Sequence, residues 1–159
     1  ELLAAEAREK GVPLLLAPFQ LYARLAEVLG SADVLLVLLE PDASEFSVPS
    51  KALSYLCAAR PVLGLVPPTN AIARILNSAG GLVLPPVEDS IDAAANWILS
   101  VTRNAGRAHE LGVTARSLAE SDFSTEPIVT RFQDVPLDAQ RGRRPGSNAD
   151  MRRALVQNA

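Results

Sequence analysis

Short apolar runs alternate with segments of helical periodicity along most of the chain. Four of the runs have the length of buried strands, at residues 12–17, 33–39, 61–66 and 81–84. The run at 33–39 is continuously apolar after Asp33, which is typical of a strand buried on both faces of a parallel sheet. The pattern therefore predicts at least four short strands.

Helical spacing fills the intervals between these runs. Four predicted helices cover residues 1–10, 21–29, 49–59 and 69–79, and Thr69 or Asn70 is the predicted cap of the helix at 69–79. Three more predicted helices follow the final strand, at residues 90–102, 107–121 and 126–134. Strands that alternate with helices need crossover connections, and these produce a parallel sheet. The predicted fold class is α/β, with a Rossmann-like parallel sheet and flanking helices.

The pattern divides the chain into one domain and a tail. Residues 1–135 carry the strand and helix signals, and a length of 159 residues suits a single domain. Residues 136–159 are polar and rich in arginine, so we predict a flexible tail that is solvated or touches anionic lipid. The chain begins at Glu1 inside a predicted helix, so we expect an N-terminally truncated lobe or a trimmed chain.

Composition excludes several classes of function. No apolar run reaches the roughly 18–20 residues of a membrane span, and no secretory signal is visible. The net charge of -3 argues against nucleic acid as a partner. With one cysteine, Cys57, and one histidine, His109, the chain has no internal disulfide, no cysteine metal cluster and no imidazole pair. We expect Cys57 to be buried and His109 to lie at the surface or in helix packing.

The loops that follow the strands are where an open parallel sheet binds ligands. They lie at residues 18–20, 40–50 and 67–70, and the middle one leads into the sequence E-F-S-V-P-S-K-A-L-S-Y-L. Ser47, Ser50, Lys51 and Ser54 are spaced by three and four around a predicted helix start, where unpaired N–H groups and a lysine favour an anion such as a diphosphate. Alternatively, Ser47 simply caps the helix and Glu45 only favours its dipole. These residues alone indicate an α/β domain with a candidate anion site.

One stretch resembles a known family. F-S-V-P-S-K-A-L-S-Y-L-C-A-A-R-P-V, residues 46–62, is similar to the hallmark of the family-4, or group 1, glycosyltransferases, especially those acting on cell-surface polysaccharides and amino sugars. The residues at 17–37, the G-G-L-V-L-P-P at 80–86 and the D-F-S at 122–124 resemble further segments of the same family, in the same order. The resemblance covers about residues 1–134.

The resemblance implies a two-lobe, GT-B-type enzyme that is retaining, independent of metal and free of cofactors. Its C-terminal lobe binds the nucleotide sugar, such as a UDP-sugar, and its N-terminal lobe binds the acceptor glycan or lipid-linked acceptor. This chain resembles most of the C-terminal lobe. The family's basic pair for the diphosphate and its acceptor lobe lie before Glu1, so we expect weak donor binding and no transferase activity from the isolated chain. The implied location is cytoplasmic, with weak association at the inner membrane surface.

The resemblance also implies roles for particular residues. Glu45 corresponds to the first glutamate of an E-x7-E signature and contacts the donor sugar, although the spacing to Ser54 is one residue too long. Ser54 stands where many members have a ribose-binding glutamate, and Ala59 replaces the usual glycine before Arg60. The resemblance also implies that the sugar and diphosphate are contacted by Phe46, Ser47, Val48, Ser50 and Lys51. It implies that the base is contacted by Phe19 and Gln20.

Two other functions stay open at this stage. A nucleotide-sugar epimerase uses the same two-lobe architecture, but it needs acid and base groups at the cleft, and the predicted donor loops contain no histidine. A non-catalytic binding domain of the same fold is the other alternative. Phe19 and Tyr22 are equally open, since both could border the base or pack in the core.

Overall fold

A three-stranded parallel sheet lies at the centre of the chain in this computed structural model, which describes residues 2–42 and 49–125. The strands are β1 (Leu35–Leu38), β2 (Val62–Leu65) and β3 (Leu82–Leu84), in the order β1-β2-β3. Leu36 is in register with Leu63, and Leu63 with Leu82. The α/β class and the parallel sheet are confirmed, and the strands predicted at 33–39, 61–66 and 81–84 are present with shorter bounds.

In the described part of the chain, six α-helices and two short 3-10 helices connect and flank the strands. The α-helices are α1 (Leu2–Glu9), α2 (Leu25–Gly30), α3 (Lys51–Cys57), α4 (Ala71–Ser78), α5 (Ile91–Thr102) and α6 (Ala105–Asp122), and the 3-10 helices are Tyr22–Arg24 and Glu88–Ser90. Each predicted helix up to residue 121 has a counterpart here. The predicted helix at 126–134 and the predicted tail at 136–159 lie outside the described residues.

The core forms where α3, α4 and α6 cover one face of the sheet. Side chains alternate between the faces of a strand, so Leu35 and Val37 point to this face. Gly64 of β2 lies beneath α4, and a Cβ there would be 2.7 Å from a methyl group of Leu76. The fully buried members of the core cluster include Val37, Ala52, Leu56, Ile72 and Leu76.

The opposite face of β1 is open, which corrects the prediction of a strand buried on both sides. Leu36 and Leu38 are 46% and 52% exposed, because α5 covers this face only in part. Leu36, Leu63 and Ile98 of α5 line a cavity of about 390 Å³ between the sheet and that helix. Burial along β1 therefore alternates instead of being continuous.

The strand predicted at residues 12–17 does not form. These residues form no regular secondary structure and pair with none of the described strands, and all of them are exposed, Leu15 at 89%. The preceding helix α1 buries none of its residues. An apolar run forms a strand only when a neighbouring strand supplies its hydrogen bonds, and no described strand lies beside this one.

The structure contradicts one expectation about a single side chain, the burial of Cys57, and one of the two alternatives left open for Phe19 and Tyr22. Cys57 is exposed, because Ala52 and Leu56 occupy the inner face of α3 and residue 57 lies about 100° further round the helix. Phe19 and Tyr22, at 95% and 88% exposed, do not pack in the core. His109 lies at the surface, as expected.

Within residues 2–42 and 49–125, none of the helices combines the length and the hydrophobicity that a membrane span requires.

Candidate functional site

The carboxyl ends of the three strands lie together at one edge of the sheet. The Leu39 N–H donates to the Leu65 carbonyl at 3.0 Å, and the Val66 N–H donates to the Leu84 carbonyl at 3.0 Å. The chain leaves this carboxyl edge after β1 and after β2, and α3 and α4 are the next described helices along the chain. The candidate site is therefore at the position where open α/β sheets bind ligands.

The first turn of α3 carries three of the predicted site residues. Ser50 occupies the N-cap position and Lys51 begins the helix, and both are exposed, while Ser54 one turn later is half-buried. Spacings of three and four place Ser50, Lys51 and Ser54 on adjacent parts of one helix surface. The structure thus brings together one cation and two hydroxyl groups on the element that follows β1.

Backbone donors in this turn are partly engaged. The Ala52 N–H donates to the Pro49 carbonyl at 2.9 Å, and the Leu53 N–H donates to the Ser50 carbonyl at 3.2 Å. The Ser50 side chain makes no capping hydrogen bond. Because these two N–H groups already have acceptors inside the turn, an anion at this position would depend more on the ammonium group of Lys51 than the sequence pattern indicated.

Four predicted residues cannot be placed. Glu45, Phe46, Ser47 and Val48 lie outside the described residues, so their assignments to the sugar and the diphosphate stay predictions. The alternative in which Ser47 only caps the helix is untested for the same reason. The described part of α3 has Ser50, not Ser47, at its N-cap position.

Asn70 is a buried polar residue at the same edge. It is 1% exposed, and its side-chain oxygen accepts a hydrogen bond from the Ile72 N–H at 2.9 Å. This bond caps α4, which settles the choice between Thr69 and Asn70 as the cap. Asn70 therefore fixes where α4 starts beside the candidate site.

Phe19 and Gln20, the residues predicted to border the nucleotide base, are placed less favourably for ligand binding than the residues of α3. Phe19 projects from the chain, and the Gln20 amide donates to the Pro18 carbonyl at 2.8 Å, a contact within its own loop. The Gln20 hydrogen bond does not bring Phe19 or Gln20 to α3. It also does not exclude a ligand between these two side chains and α3.

Other titratable groups lie elsewhere. Asp33, Arg60 and His109 line a cavity of about 260 Å³ at the amino edge of the sheet, where β1 and β2 begin. Arg60 also donates to the Gly30 carbonyl at the end of α2. Across residues 2–42 and 49–125, no group of three or more His, Cys, Asp or Glu side chains could hold a metal ion.

A further cavity, of about 480 Å³, separates α4 from α6. Arg74 and Asp122 contribute its charged groups, and Ile75, Leu118 and Phe123 its apolar ones. No sequence pattern indicates this cavity, because its lining comes from two helices about 40 residues apart and depends on how they pack.

No family model matches the sequence, and no curated protein or solved structure is significantly similar to it.

Proposed function

We propose that this chain is the donor-binding lobe of a nucleotide-sugar-dependent glycosyltransferase of the GT-B type, retaining and independent of metal. The acceptor glycan or lipid-linked acceptor would bind to a second lobe, in a cytoplasmic enzyme that associates weakly with the membrane surface. The observation that carries this function is the position of the resembling stretch, residues 46–62, which spans the approach to α3, the helix itself and the start of β2. The start of that crossover lies at the carboxyl edge of the parallel sheet.

The chemistry of donor cleavage fits the groups found there. When the bond from the sugar C1 to the diphosphate breaks, negative charge grows on the leaving group, and the site must stabilise it electrostatically. Lys51 is a cation at the first turn of α3, and the hydroxyls of Ser50 and Ser54 are hydrogen-bond donors on the same helix. In this account Lys51 and Ser50 bind the diphosphate and Ser54 binds the ribose.

The donor sugar and the base are assigned to the neighbouring loops. Glu45 would orient the sugar through its hydroxyl groups, with the backbone of residues 46–48 beside the diphosphate, and Phe19 and Gln20 would lie near the base. Orientation and charge stabilisation are then the contributions of this lobe.

A titration of the whole chain with UDP, UDP-N-acetylglucosamine and GDP-mannose, followed by NMR, tests this function. We expect Lys51→Ala to raise the Kd by about 3- to 10-fold, because it removes a charge-assisted contact to phosphate. Lys10→Ala is the matched control, since Lys10 is exposed in α1 and pairs with Glu6 at 2.8 Å, and it should leave the Kd unchanged.

A second variant separates the sugar from the nucleotide. Glu45→Ala should weaken UDP-N-acetylglucosamine but not UDP, if Glu45 contacts the sugar. Equal affinities of the wild-type chain and Lys51→Ala, or no binding even with the chain extended upstream, would contradict a donor lobe and favour a binding domain with another ligand.

A further inference from the structure

The C-terminal end of α3 is held by α6. Among the described elements, α3 contacts α6 more extensively than it contacts any other. Ala52 and Leu56 of α3 and Ala115 and Ala119 of α6 are all buried in the same cluster. Small side chains on α6 let the two helices approach closely, so that a displacement of α6 moves α3.

The closest approach lies at Gly112. A Cβ atom at this position would be 2.3 Å from the carbonyl oxygen of Ala59, in the turn that ends α3. Ala59 has a φ of 53°, a left-handed conformation that closes the turn. The backbone of α6 thus lies directly against the backbone at the end of α3.

Arg116 adds a polar contact one turn further along α6. Its Nη1 donates to the Cys57 carbonyl at 2.7 Å, and its Nε donates to Glu120 at 2.6 Å. Helix C-termini carry unpaired carbonyl groups and a partial negative charge, so an arginine at this point stabilises the end of α3. Glu120 accepts a hydrogen bond from the guanidinium and raises the pKa of Arg116 above its ordinary value.

α3 is short enough to transmit this restraint to its other end. With a rise of about 1.5 Å per residue, the seven residues of α3 make a helix about 10 Å long, and the candidate ligand groups Ser50 and Lys51 lie at its start. On the basis of the donor-binding function proposed above, we infer that Arg116 is a positioning residue: through the Cys57 carbonyl it fixes α3 and so sets the affinity for the nucleotide diphosphate without touching it.

The test compares Arg116→Leu, Arg116→Lys and Arg107→Leu in the full chain. Arg107 is the matched control, because it is an exposed arginine near the start of the same helix. Lysine at 116 keeps the charge and one donor, so Arg116→Lys should restore most of what Arg116→Leu loses. The two readouts are hydrogen exchange of individual amides and the Kd for UDP-N-acetylglucosamine, both measured well below the unfolding temperature.

Exchange at the end of α3 reports the restraint itself. The amides of Ala58 and Ala59 donate to Ser54 and Leu56 at 3.1 and 3.2 Å, and the amide of Ala79 at the end of α4 serves as the internal reference. In Arg116→Leu we expect exchange at Ala58 and Ala59 to rise by about 3- to 10-fold over that at Ala79, with a Kd increase of about threefold. A purely global loss of stability would raise exchange in α3 and α4 alike.

The outcomes separate this inference from the proposed function. Equal exchange in α3 and α4, or equal effects of Arg116→Leu and Arg107→Leu, would overturn the restraint. A specific rise in α3 exchange with an unchanged Kd would overturn the link to affinity. If the wild-type chain binds no nucleotide, even when extended upstream, the donor function and the link to affinity both fail, whereas the exchange data still decide whether Arg116 holds α3.

Discussion

Residues 12–17 and strand β1 have similar apolar sequences and opposite surroundings. V-P-L-L-L-A is exposed throughout, whereas L-L-V-L forms a strand in which Leu35 and Val37 are buried. The difference lies in what covers each run, because α3 and α6 contribute to the core cluster around Val37 and no described element covers Leu15. Hydrophobicity within a run therefore does not by itself predict a strand, because the packed layer above the run decides burial.

Truncation of a leucine in each region should give the largest contrast. Leu56 is fully buried in α3, so Leu56→Ala should lower the free energy of unfolding by about 2–5 kcal/mol through lost contacts and a cavity. Leu15→Ala should change it by less than about 0.5 kcal/mol, because Leu15 is exposed. Urea denaturation followed by circular dichroism measures both. A similar loss in the two variants would mean that residues 12–17 are packed in solution.

The approach of α6 to α3 gives the next contrast. Gly112→Ala should destabilise the chain by about 1–3 kcal/mol, because the added methyl group would overlap the Ala59 carbonyl. Gly106→Ala, at the start of the same helix, meets only the Asn104 side-chain oxygen at 3.4 Å and should be neutral or stabilising by up to about 1 kcal/mol. Thermal unfolding of both variants provides the measurement, and a tolerated Gly112→Ala would show that α6 is not in close contact with α3.

The elements that the sequence predicted well are those with strong local signals. The run at 61–66 is bounded by prolines on both sides, and it contains β2. Asn70 precedes a helical pattern at a position where asparagine is a favoured N-cap, and it is the cap. In such places local chemistry and the final fold agree, so periodicity and capping rules are sufficient.

Features that depend on packing between distant parts of the chain could not be predicted. The bond from Arg116 to the Cys57 carbonyl joins residues 59 positions apart, and the left-handed turn at Ala59 has no glycine to signal it. The open face of β1 depends equally on where α5 comes to lie. Each feature follows from tertiary contacts, which short-range patterns do not encode.

The candidate site shows the same division. The sequence placed Ser50, Lys51 and Ser54 on one helix after a buried strand, and the structure has them on α3. It did not indicate that two of the N–H groups in that turn are engaged by Pro49 and Ser50. The sequence thus predicted which groups lie together but not how many remain available to a ligand.

Amide chemical-shift mapping of the isotope-labelled chain with UDP-N-acetylglucosamine tests the donor-lobe account most directly. The account predicts that shifts cluster at the carboxyl edge, on residues 50–54 and around Asn70, and stay small at the amino edge near Asp33, Arg60 and His109. Shifts that cluster at the amino edge instead would contradict the account, as would no shifts at millimolar ligand for the chain extended upstream.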